Sequence, residues 1–149
     1  MSTAPRPRLV IVDGVPMSAL VAEADDPKAV IVAIHGGGTT ALYFDCPGHP
    51  PLSLLRSGAD AGFTVIALDR PGYGSSAPYP EAMARPEQRV DLAYAAVDRI
   101  LGDRPRGAGV FLMGHSGGCE LVMRMAADDR GTDHFVSPMT TWTGGSLML

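Results

Sequence analysis

Residues 29–34 read Ala-Val-Ile-Val-Ala-Ile, an unbroken apolar run that stops on His35-Gly36-Gly37-Gly38. A strand with one wet face alternates polar and apolar residues. One that is apolar throughout must be covered on both faces, as in the centre of a parallel sheet flanked by helices. Two further runs repeat the arrangement. Residues 64–68 lead into Asp69-Arg-Pro-Gly-Tyr-Gly-Ser-Ser76, and residues 110–113 lead into Gly114-His-Ser-Gly-Gly118.

Helical patterns fill the intervals. Residues 51–61 carry Leu52, Leu54, Leu55 and Ala59, with Pro51 at the start and Gly62 after the end. Pro86 opens a longer helix whose apolar stripe is Val90, Ala93, Tyr94, Val97, Ile100 and Leu101, stopped by Gly102. Residues 117–127 place Leu121, Val122, Met125 and Ala126 on one face, and Arg130-Gly131 ends that helix. Ahead of all this, residues 8–23 read as a hairpin turning at Asp13-Gly14. The expected fold class is α/β: an N-terminal hairpin, then parallel β-α-β-α-β-α. One domain is expected over residues 1–149, with its core in 8–130 and an irregular tail in 131–149.

Composition narrows the function classes. Hydrophobic residues make up 46% and charged residues 19%, enough apolar material for a core. Twelve basic and sixteen acidic side chains leave a net charge of −4, and no stretch concentrates Lys or Arg. A nucleic-acid partner therefore has no electrostatic support. The longest apolar run falls far short of the roughly 20 residues that span a bilayer, so no membrane partner is expected. Residues 1–8 lack the apolar core of a signal peptide, and Cys46 and Cys119 are too few for a disulfide framework. A reducing cytoplasm is the expected compartment. His35, His49, His115 and His134 show no ligand spacing, so neither a metal nor any other cofactor is expected.

Gly114-His115-Ser116-Gly117-Gly118 fits G-x-S-x-G, a spacing with a mechanical reason. A sharp turn from strand to helix strains the serine backbone and lifts its hydroxyl clear of the sheet. A side chain at either flanking glycine would clash across that turn. The glycines of residues 36–38 let backbone N–H groups approach a ligand atom, as an oxyanion requires. The same segment also fits G-x-G-x-x-A, with Asp69 ending the next strand where a ribose-binding acid would lie. That alternative is a nucleotide-binding oxidoreductase domain. Its helix, however, starts near Pro51 and not directly after the glycines. A second alternative is a non-catalytic scaffold that pairs with another chain.

Together, His35-Gly-Gly-Gly38, Asp69–Ser76 and Gly114–Gly118 resemble the α/β-hydrolase superfamily, in its order and after its third, fourth and fifth strands. The likeness is greatest to its esterase, epoxide hydrolase and haloperoxidase-like branch, over about residues 8–130. The resemblance implies a serine hydrolase acting on a small ester-like or related carbonyl substrate. It implies Ser116 as nucleophile, Gly37 and Gly117 as oxyanion donors, and His35, Gly36, Gly38 and His115 as pocket lining. The 69–76 loop is expected to be architectural.

A serine needs a base oriented by an acid, and the superfamily order is Ser, then Asp or Glu, then His. Only 33 residues follow Ser116, and they hold Asp128, Asp129, Asp133 and His134. The first two fall roughly 18 Å along the helix from the hydroxyl. The expectation is a fold truncated after about the fifth strand and catalytically incomplete. Residues 110–113 would then form an open edge, and the chain would self-associate through it.

Overall fold

The computed structural model describes residues 4–128, 130 and 138–141. The chain opens with β1 (Arg6–Val12) and β2 (Val15–Ala22), an antiparallel hairpin. Its turn residues Asp13 and Gly14 both have positive φ, 49° and 80°, which matches the turn to the twist of the strands. Next come β3 (Val30–Ile34), α1 (Leu54–Asp60), β4 (Thr64–Leu68), α2 (Pro86–Leu101), β5 (Val110–His115), α3 (Gly118–Ala127) and β6 (Pro138–Thr141). The sheet order is β1-β2-β4-β3-β5-β6, and β4, β3, β5 and β6 run parallel.

Both sheet faces are covered, as the apolar runs require. Val30, Val32 and Ile34 of β3 join Ile66 and Leu68 of β4 in a core shared with α2 and α3. The alternate residues Ala33, Val65 and Ala67 join Leu55 of α1 and Phe44 in a smaller core on the other face. β3 and β4 thus act as the common floor of two cores.

Three expectations are corrected. α1 starts at Leu54 and not at Pro51, because Ser53 supplies the cap by accepting the Arg56 N–H, while residues 50–52 form a 3-10 turn. The fifth strand continues through Gly114 to His115. Its edge is also not open: β6 pairs with it in parallel, Leu112 opposite Pro138 and His115 opposite Thr141. The tail therefore holds a regular strand, which a four-residue segment starting with Pro does not advertise. The edge passes to β6, whose shortness and leading proline blunt it. The opposite edge, β1, begins Arg6-Pro7-Arg8.

Candidate active site

β5 delivers the chain to Ser116, which sits at φ 51°, a left-handed conformation that strains any residue with a side chain. The serine is exposed at the tip of the turn. Both glycines of the spacing are steric necessities. A Cβ on Gly114 would lie 2.9 Å from Cys119 Cα, and one on Gly118 would lie 2.4 Å and 2.5 Å from the carbonyl oxygens of Ile34 and His35. The Cys119 N–H donates to Ser116 O at 2.9 Å and closes the turn.

The glycine run after β3 lies against this elbow. Gly36 is buried, and a Cβ there would meet Ser116 Cβ at 3.1 Å and His115 O at 3.2 Å. Gly37 and Gly38 are exposed, with Gly38 at φ 68°. A Cβ on Gly117 would fall 3.5 Å from the Gly37 nitrogen, so the two glycines expected as donors sit side by side.

His35, expected to line the pocket, is fully buried. Its Nδ1 lies 2.7 Å from Gly36 O, and its Nε2 accepts the Arg70 N–H at 3.0 Å. That acceptor role fixes the neutral tautomer, with the proton on Nδ1. Burial is the main cause that holds its pKa below 6.5; the Gly36 carbonyl opposes it, Arg70 adds to it and Asp69 opposes it. The Tyr73 ring meets His35 edge-on, with centroids 4.9 Å apart. His115 flanks the elbow differently, stacked on Tyr43 at 4.4 Å with Nε2 3.1 Å from the tyrosine hydroxyl.

Asp69 is committed to architecture. Its Oδ1 accepts the Ala41 N–H at 2.7 Å and its Oδ2 the Ser18 hydroxyl at 2.6 Å. Gly74 at φ 57° comes so close that a Cβ would lie 2.3 Å from Oδ2. The 69–76 loop is closed further by Ser76, whose hydroxyl accepts the Gly72 N–H and donates to Tyr73 O. This geometry counts against the ribose-binding reading. The first α-helix after the glycines begins only at Leu54, and directly after them stands just a single 3-10 turn, Ala41–Phe44, in place of the α-helix N-terminus a pyrophosphate would need.

Sequence reasoning missed Arg70. Its Nη1 donates to Gly117 O at 3.2 Å, and its guanidinium lies over the Tyr73 ring at 4.5 Å. Adjacency to Asp69 in the loop motif was the available signal. Asp128 lies at the far end of α3, paired with Arg130. Asp129, Asp133 and His134 fall outside the described residues. Among the described residues no group of His, Cys, Asp and Glu could hold a metal ion, and no helix is long and apolar enough to cross a membrane.

A mostly parallel sheet that presents a strained serine between strand and helix defines an α/β fold built around one exposed hydroxyl. The profile of the alpha/beta hydrolase family matches residues 31–146, and the chain belongs to that family. Among solved structures, an epoxide hydrolase variant from Vigna radiata is similar with a TM-score of 0.70 and 20% identity, over 91% of this chain and 38% of that one. An epoxide hydrolase from an endophytic Streptomyces gives 0.65 and 22%, over 90% and 36%. Epoxide hydrolase A from Mycobacterium thermoresistibile gives 0.60 and 28%, over 83% and 35%. The chain thus spans well under half the length of these proteins. No curated protein sequence matches it.

Proposed function

We propose that this chain carries the nucleophile half of a serine hydrolase acting on a small ester-like or related carbonyl substrate. The observation that carries the reading is Ser116, held exposed at φ 51° beside Gly37 and Gly117. Ser116 Oγ would bond to the carbonyl carbon while the π electrons move onto oxygen. The Gly37 and Gly117 N–H groups would donate to that oxyanion. As the carbonyl re-forms, the leaving group departs carrying a proton that solvent relays from Oγ, and water then cleaves the acyl-serine to the free acid and restores the Ser116 hydroxyl.

The nucleophile's chemistry chooses the substrate class. A serine that opened an epoxide would be left as an ether, with no carbonyl for water to attack, and turnover would stop. A carbonyl substrate leaves an ester, which water can cleave. The similar solved structures are epoxide hydrolases, but a serine at this turn favours acyl transfer. The proton on Oγ must pass to a base, and Asp128, at the far end of α3, is out of reach. An oxyanion site without its base still retains about 10³-fold catalysis over water.

The test is peptide mapping after incubation with a fluorophosphonate. Slow labelling at Ser116, ahead of the other eight serines and absent in Ser116→Ala, is the expected result. Labelling spread evenly over the serines would refute the reading and leave the non-catalytic scaffold.

A further inference from the structure

We propose that Arg70 is a positioning residue that fixes the spacing between the two loops carrying the Gly37 and Gly117 N–H groups. Its purpose rests on the hydrolytic reading above; its geometry does not. One residue reaches both loops. Through its backbone, Arg70 N–H donates to His35 Nε2 at 3.0 Å, and His35 Nδ1 in turn holds Gly36 O at 2.7 Å. Through its side chain, Nη1 donates to Gly117 O at 3.2 Å. Both terminal nitrogens lie 3.8 Å from where a Gly117 Cβ would stand. The glycine loop and the elbow are therefore tied to each other through position 70.

The tie is held stiff from the side. Tyr73 forms a plate, with the guanidinium 4.5 Å above its ring and the His35 ring meeting it edge-on at 4.9 Å. A long cationic side chain ordinarily loses much rotamer freedom when it is fixed. Here the aromatic face and a planar fork share that cost. Nε is buried without a hydrogen-bond partner among the described residues, so the guanidinium is placed for Gly117 and not for its own full satisfaction. Gly37 and Gly117 need such a tie, since neither has a side chain and both are exposed. Displacement of one donor by about 1 Å is enough to lose roughly a hundredfold in rate.

The experiment compares the full chain with Arg70→Met, Arg70→Lys and Tyr73→Leu. Backbone N–H order parameters by NMR are the first measurement. In Arg70→Met, Gly37 and Gly117 fall from about 0.85 towards 0.6, while Val32 and Ile66 in the strands do not change. Arg70→Lys, which keeps the charge but has a shorter reach and no planar fork, falls between wild type and Arg70→Met. Tyr73→Leu loses part of the same order. The second measurement is the rate of Ser116 phosphonylation, expected to slow about tenfold in Arg70→Met and to recover only in part in Arg70→Lys. Unchanged order parameters in Arg70→Met overturn the proposal. If the wild-type serine fails to label, the hydrolytic reading falls alone, and the order parameters still decide the role of Arg70.

Discussion

Gly118→Ala is the most informative single change at the elbow. Its new methyl would stand 2.4 Å from Ile34 O and 2.5 Å from His35 O. An ordinary C···O contact is about 3.3 Å, so α3 must retreat from the end of β3 by about 0.9 Å. Both obstacles are backbone carbonyls, one on the last residue of β3 and one on the residue after it, and cannot rotate away. Overpacking of this kind costs about 3 kcal/mol, and the better helix propensity of alanine returns at most about 1 kcal/mol. The net loss is about 2 kcal/mol, a fall of about 4–8 °C in Tm for a domain of this size. Differential scanning calorimetry measures it. Gly117→Ala and Gly37→Ala are the controls, because the nearest atom to a Cβ is 3.5 Å away at Gly117 and nothing lies within 4 Å at Gly37. A Gly118→Ala midpoint within 2 °C of wild type would refute the claim that this glycine is fixed by those two carbonyls.

Two further outcomes are expected. Because burial holds His35 neutral in the fold while the unfolded chain protonates it near 6.5, stability is complete above that pH and declines as pH falls below it. Urea midpoints between pH 7.5 and 5.5 should drop, and nitrogen-detected NMR should show the proton on Nδ1. Titration of His35 at or above 6.5 would contradict its burial. Removal of residues 138–149 strips β6 from β5, so that variant should self-associate in sedimentation velocity at concentrations where the full chain does not. Identical concentration dependence in both chains would mean that β6 does not guard the edge.

The sheet and the elbow were legible because their signals are local. An apolar run closed by glycines names a buried strand and a turn within ten residues, and Gly114 and Gly118 announce a clash that the fold then realises. What escaped is non-local. In Pro-Met-Thr-Thr only the β-branched pair Thr140-Thr141 favours a strand, too short a signal to mark residues 138–141 until the side of β5 offers a partner. His35 stands beside glycines that reach solvent, yet its own side chain turns under the 69–76 loop, which a pattern along one segment cannot convey. Arg70 was hidden for the same reason, since its partner Gly117 is 47 positions away. The α1 boundary escaped because proline and serine both compete to start a helix there, and Ser53 prevailed.

The order β1-β2-β4-β3-β5-β6 has a consequence during synthesis. β3 is made third, yet both of its neighbours, β4 and β5, are made after it. When Ile34 leaves the ribosome its first partner strand is still 34 residues from completion, at Leu68, and its second is 81 residues away, at His115. At about 5–20 residues per second, the most apolar segment of the chain waits about 2–7 s for one side and about 4–16 s for the other. The hairpin cannot shelter it, because the place beside β2 is reserved for β4. The nascent chain therefore passes through a window in which β3 has neither neighbour strand to pair with, and that window closes in two steps.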